Sequence, residues 1–386
     1  MTMYGALVCL AVPGLAAAAL PPMEYRYASF GVPDPAATAS FLLRFVNATR
    51  ITDDPSLWLR ADVAPNSTLE ALRLPYADGA AYSDVYLELD ATLPPSGGVA
   101  QFADALEATH TMAQDDWDWW LDTHLAFSVA DLDGVAARLL RANVPFVNRG
   151  SVYFVAPGGV VVQVLGEPSI YWTEPFLFCR RTADATTGAM RPYALNVTDV
   201  GALPAPAALP EFAPSHMSFA ATAAKTSAFW AQRVLAFSEV VPAWDTHAWA
   251  NGTCADIRWM EVASRWEIHF VEQFFKREGA RVSVADHERA LARAHASFAD
   301  AGGASQFDAF RTGFGVADAQ PYIDALDAAG EPYRLTTDAA TGSRALLLLA
   351  PCGQLFELSE APLPAPHDRA AAARAIRPCR DERHAC

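Results

Sequence analysis

Histidines and carboxylates that stand on one face of a strand can ligate a cation, pass a proton, or simply face water. In THLAFSVADLDG, from Thr123, His124 shares a face with Ala126 and Ser128, while Leu125, Phe127 and Val129 take the other. The same phase recurs in RWEIHFVEQ. There Trp266, Ile268 and Phe270 form the apolar face, and Glu267, His269 and Val271 the opposite one. In GQLFELSE, Phe356 and Leu358 are apolar and Glu357 faces away from them. Arg311 opens RTGFGVADAQ; a guanidinium stays protonated and cannot ligate a metal, but it can hold a carboxylate bidentately or pair with Glu357. His110, His247, His287 and His295 fall in stretches expected to be helix or loop and read as surface or supporting residues.

An internal repeat supplies the elements that position these residues. HLAFSVADLDGVAARLLRANVPF, from His124, matches RTGFGVADAQPYIDALDAAGEPY, from Arg311, at an offset of 187 residues. In the first copy Asp131 stands where an N-cap belongs, and Leu132, Val135, Ala136, Leu139 and Leu140 form a helical stripe that ends near Asn143 and Pro145. In the second copy the stripe is Ala319, Tyr322, Ile323 and Leu326. Both close with a turn and a strand, APGGVVVQVLGE and APCGQLFELSE. The other quarters match more faintly: YASFGVPDPAATASFLLRFV from Tyr27 against HMSFAATAAKTSAFWAQRVL from His216, each followed by a later strand, SDVYLELD or SRWEIHFVEQ. A helix-like stretch precedes each even-numbered copy. The chain thus predicts four strand–helix–strands units paired into two halves. Residues 24–180 and 215–360 are the expected paired domains, joined by the proline-rich linker 200–214 and followed by a tail, 361–386.

This pattern resembles the βαβββ module of the vicinal oxygen chelate superfamily, which includes the glyoxalases, the extradiol dioxygenases and 4-hydroxyphenylpyruvate dioxygenase. The resemblance implies an α+β fold: two cupped, mostly antiparallel sheets of paired modules, with helices on the outside. It also implies metal ligands at the start of each first strand and in each last strand. Carried onto this chain, the C-terminal set is His216, His269, Arg311 and Glu357, and the N-terminal set Tyr27, Glu88, His124 and Gln163. The expected centre is then Fe2+, Zn2+ or Mn2+ on His216, His269 and Glu357. Arg311 would hold an anionic substrate group, and Glu267, one pleat away, would accept a proton. The implied activity is metal-dependent chemistry on a small substrate with vicinal oxygens. The alternative is a non-catalytic small-ligand-binding or pseudo-enzyme protein of the same fold.

Bulk properties narrow the setting. The 386 residues are 52% hydrophobic and 19% charged, enough for two domains, and the net charge of −16 argues against nucleic acid and anionic membrane surfaces. YGALVCLAVPGLAAAAL reads as a signal peptide spanning residues 1–19; a membrane anchor is the alternative, but the run is short for a span and carries Pro13 and Gly14. Acceptor sequons at Asn47, Asn66, Asn196 and Asn251 agree with secretion or an organelle lumen. Beyond Cys9, the cysteines are Cys179, Cys254, Cys352, Cys379 and Cys386, an odd number, so at least one is free or pairs between chains. No C-x-x-C, G-x-S-x-G, H-E-x-x-H, phosphate loop or dinucleotide fingerprint is present. The cluster DDWDWWLD, from Asp115, could line a ligand cleft or cover a sheet edge.

Overall fold

The computed structural model describes residues 20–46, 48–50, 69–74, 85–91, 123–129, 131–142, 144, 146–148, 151–166, 212–221, 224–239, 244–248, 254–263, 266–271, 284–298, 310–338 and 341–360. The leader, the sequons, the tryptophan cluster and the tail lie outside these residues.

Alternating sequence makes the strands and capped amphipathic sequence makes the helices. Module one is β1 (Met23–Gly31), α1 (Pro35–Phe45), β2 (Thr49–Arg50), β3 (Leu69–Leu74) and β4 (Val85–Asp90). Module two is β5 (His124–Val129), α2 (Leu132–Arg141), β6 (Phe146–Asn148), β7 (Ser151–Val155) and β8 (Val161–Gly166). Module three is β9 (Ala213–Ala220), α3 (Ala224–Leu235), β10 (Ser238–Glu239), β11 (Trp244–Ala248), β12 (Cys254–Ala263) and β13 (Trp266–Val271). Helix α4 (Val284–Phe298) follows. Module four is β14 (Phe310–Val316), α5 (Gln320–Ala329), β15 (Tyr333–Thr337), β16 (Arg344–Leu349) and β17 (Leu355–Ser359). Asp131 caps α2 as expected, its Oδ1 accepting the Gly134 N–H at 2.8 Å. Asp34 caps α1 in the same way, accepting from Ala37 at 3.0 Å. Helix α5 stops at Gly330, whose φ of 67° is the left-handed conformation that glycine adopts without penalty.

Every module has one strand order. The first strand lies parallel to the last, and the others follow outward, β1-β4-β3-β2, β5-β8-β7-β6, β9-β13-β12-β10 and β14-β17-β16-β15, with β11 an extra strand paired to β12. The equivalence expected between the repeats at His124 and Arg311 therefore holds.

The pairing of modules differs from the expectation. Strand β1 joins β14 antiparallel, so modules one and four make the first sheet; β5 joins β9, so modules two and three make the second. The sheets do not follow the division into 24–180 and 215–360. The outer modules of the chain enclose the inner pair. Two smaller corrections accompany this. Ala213 and Pro214, expected in the linker, already belong to β9, and His247 lies on strand β11 rather than in a helix or loop.

Long-range packing explains the pairing. The apolar faces of both sheets and the stripes of α1, α2, α3 and α5 share one continuous core. Within it, Trp230 of module three packs on Phe356 of module four with ring centroids 6.0 Å apart, and Phe237 lies 5.7 Å from Phe314. Phe41 of module one lies 6.1 Å from Phe154 of module two. Helix α4 departs from the rule of helices on the outside. Its Ala294 and Phe298 pack against Leu347, Leu349 and Leu355, on the face of the first sheet opposite the shared core.

Candidate functional site

The polar face of the second sheet is built from two rows of residues across its central strands. On β13, β9 and β5 the register aligns His269, Ser218 and His124. One pleat along, it aligns Glu267, His216, Ala126 and Gln163, and continues to Tyr153 on β7. The alternate residues Ile268, Phe270, Met217, Phe219, Leu125, Phe127, Val162 and Val164 all enter the core. Burying that face fixes the register, since a slip of one residue would send the histidines into the core.

Three imidazoles meet here. His124, His216 and His269 are 7%, 5% and 7% exposed. The Nε2 atoms of His124 and His216 are 3.2 Å apart. The His269 ring stacks on that of His216, with centroids 3.8 Å apart and planes 21° from parallel. Tyr153 sets its ring edgewise to His124 at 5.5 Å. Ser215 Oγ lies 3.2 Å from His216 Nδ1, which directs the other nitrogen of that ring toward His124. Burial, and then the neighbouring imidazoles His269 and His124, hold His216 well below the ordinary histidine range. Burial, and then His124, does the same for His269. Both rings are therefore neutral at pH 7, which is the form that ligates metals.

The first sheet carries the matching positions with other chemistry. One row aligns Glu88, Ser29, Arg311 and Leu355; the next aligns Tyr86, Tyr27, Gly313, Glu357 and Leu347. By module equivalence Glu88 stands for His269, Arg311 for His124, Tyr27 for His216 and Glu357 for Gln163. Arg311, Glu357 and Tyr27 are buried. Gly313 makes room for the Tyr27 ring: a Cβ there would lie 2.1 Å from a ring carbon. Helix α4 covers this face at Leu347, Leu349 and Leu355.

All eight residues expected at ligand positions thus fall in these register rows, but in different company. His216 and His269 share their sheet with His124 and Gln163; Glu357 and Arg311 share theirs with Tyr27 and Glu88. The expected triad His216, His269 and Glu357 is divided between the sheets, and so is the set Tyr27, Glu88, His124 and Gln163. Arg311 does not border the histidine pair. The cause is the module pairing: strand phase had named the correct face of each strand, while the partner of each strand depends on contacts that phase does not carry. Glu267 remains beside His216, its register partner. Sequence reasoning singled out neither Ser218 nor Tyr153; the signal for Ser218 was its place two residues after His216 on one strand face.

The donors suit a divalent ion in kind. Two nitrogens bound tetrahedrally to one zinc at 2.0–2.1 Å stand about 3.3–3.4 Å apart, and the His124–His216 spacing of 3.2 Å is close to that. Imidazole serves Zn, Fe, Cu and Ni, and three histidines with an open position is a known catalytic zinc set. Among the described residues no three His, Cys, Asp or Glu side chains converge on one point. The ring out of place is His269, which stacks on His216 rather than aiming beside it.

No protein-family model matches this sequence, and no curated protein matches it. Among solved structures the chain is similar to glyoxalase I from Zea mays, at 10% identity over 88% of this chain and 92% of that one, with a TM-score of 0.48. It is also similar to a lactoylglutathione lyase from Agrobacterium tumefaciens, at 13% identity over 38% of this chain and 92% of that one, TM-score 0.25. A third is a fosfomycin resistance protein from Listeria monocytogenes solved with Mn(II), at 12% identity over 39% of this chain and 92% of that one, TM-score 0.25. The strand order found in all four modules decides the architecture. It is the paired βαβββ architecture that the sequence resemblance implies. That fold hosts several chemistries, so the function rests on the residues of the site.

Proposed function

We propose that the polar face of the second sheet is a divalent-metal centre, and that the protein is an enzyme of glyoxalase or dioxygenase type. Its substrate would be a small molecule with two neighbouring oxygens. The observation that carries this is the pair of buried imidazoles, His124 and His216, with Nε2 atoms 3.2 Å apart and His269 against them. His124, His216 and His269 would hold the ion, with Gln163 offering an amide oxygen from the adjoining strand. Zn2+, Fe2+ or Mn2+ bound there would supply Lewis acidity toward vicinal oxygens. The protein's own contribution is a set of neutral ligands, so a bound dication would keep most of its attraction for an anionic oxygen, with the one carboxylate beside them, Glu267, left to act as a base. Glu267, beside His216, would take a proton from the substrate. The apolar leader and the sequons support placing this activity in a secretory compartment.

The stacking of His269 on His216 favours a second reading, a metal-free pocket for a small ligand. Cobalt(II) separates the two. Protein loaded with Co2+ and titrated with a catechol, a 2-hydroxyketone and a hemithioacetal should change its visible spectrum with at least one of them, and a His216→Ala variant should not. If those compounds bind, as judged by tryptophan fluorescence, without metal uptake or spectral change, the pocket is metal-free.

A further inference from the structure

Ser218 is the centre of the histidine row. It pairs in register with His124 on one side and His269 on the other, and it is 0% exposed. Among the described residues its Oγ has no hydrogen-bond partner, which is uncommon for a buried hydroxyl in a central strand. The His216 ring contacts both rings that flank Ser218, 3.8 Å from that of His269 and 5.3 Å from that of His124.

Proton accounting gives this hydroxyl a use. A neutral imidazole carries one N–H. In the present contact between Nε2 atoms, one of the two rings must donate and the other accept. If His216 keeps its proton on Nδ1, toward Ser215, then His124 is the donor and carries its proton on Nε2. An ion bound to both Nε2 atoms needs a lone pair from each, so the proton of His124 must move to Nδ1 and find an acceptor there. Ligating histidines nearly always give that second N–H to a neighbouring oxygen. Directly opposed residues on antiparallel strands have Cβ atoms about 4.5–5.5 Å apart. A serine hydroxyl is short enough to meet the near nitrogen of a facing ring across that gap, though too short to reach an ion at the far nitrogen.

We infer that Ser218 is a positioning residue of the metal centre, accepting the Nδ1–H of His124 when Nε2 turns to the ion. The inference rests on the metal-centre proposal. Ser215 beside His216 plays the corresponding part for the other ring, so β9 carries both supporting hydroxyls.

Zinc alone is a sufficient probe. Competition titration against a chromophoric chelator should show Ser218→Ala binding zinc 10–100-fold more weakly than wild type. Ser218→Thr, which keeps the hydroxyl, should recover to within about threefold of wild type. Ser29 holds the equivalent position in the first sheet, is equally buried with no partner among the described residues, and has Arg311 rather than an imidazole beside it; Ser29→Ala should leave zinc binding unchanged. Nitrogen-15 imidazole spectra of zinc-loaded wild type should place the His124 proton on Nδ1, a test that requires no variant to fold. The inference is overturned if Ser218→Ala binds zinc as wild type does, if threonine fails to rescue, or if the His124 proton lies on Nε2 in the loaded protein. Wild type that takes up no zinc at all, nor another divalent ion, removes the metal-centre proposal itself.

Discussion

Replacing Gly313 with alanine tests the pairing of module one with module four. Gly313 is not among the glycines with positive φ, so alanine is allowed by its backbone. The obstacle is Tyr27, its partner across the β1–β14 ladder. An added Cβ would stand 2.1, 2.4 and 2.5 Å from three carbons of the Tyr27 ring. Non-bonded carbons prefer about 3.5–4.0 Å, so the ring would have to retreat by roughly 1.4–1.9 Å. It is 1% exposed and has little space to move into. Overpacking of this kind costs about 1–3 kcal/mol. Were β1 not beside β14, the same change in a strand would gain roughly 0.5–1 kcal/mol, because glycine loses more conformational freedom on folding. The two arrangements therefore predict opposite signs. Urea unfolding of Gly313→Ala should show a lower midpoint than wild type. A double-mutant cycle with Tyr27→Ala should give a coupling of at least about 1 kcal/mol. A neutral or stabilising Gly313→Ala would refute the clash and, with it, the neighbouring positions of these strands.

Further outcomes follow from the histidines and from Cys352. His216 and His269 titrate below the ordinary imidazole value of about 6.5, so below that pH the unfolded chain binds more protons than the folded one. Their contribution to stability is whole above about pH 6.5 and is lost as pH falls below it, so the metal-free protein should melt at lower temperature at pH 5.5 than at pH 7. A His269→Gln variant should flatten that dependence, and an unchanged slope would contradict the assigned shift. Cys352 is a buried free thiol whose pKa burial raises to about 11. It should resist a thiol reagent in the folded protein at pH 8 and react once the chain is unfolded in guanidinium, as followed by mass spectrometry of the labelled peptide. Labelling of Cys352 in the native state would show that module four opens readily.

The sequence allowed each module to be read because the information is local. Period-two alternation placed His124, His269 and Glu357 on polar faces, Asp131 marked the start of α2, and the offset of 187 residues identified modules two and four as equivalents. The company kept by those faces was not legible. Alternation says which way a side chain points but not which strand lies alongside. Here that choice depends on contacts between distant segments: Trp230 with Phe356, Phe237 with Phe314, and the Tyr27 ring over Gly313. In sequence these residues are ordinary core aromatics and one glycine. Grouping modules by chain order therefore set Glu357 beside His216, whereas the fold sets His124 there. The side of the first sheet that receives α4 was hidden for the same reason, since the stripe of Ala294 and Phe298 fits any apolar surface.

The central claim is that the metal ligands come from modules two and three together. Metal content of three purified proteins, loaded with a divalent ion and freed of excess by gel filtration, tests it most directly. Elemental analysis should find about one ion per chain in wild type, background in His124→Ala, and the wild-type amount in Glu357→Gln. The opposite pattern, with metal retained by His124→Ala and lost from Glu357→Gln, would contradict this account and return the site to the C-terminal half of the chain.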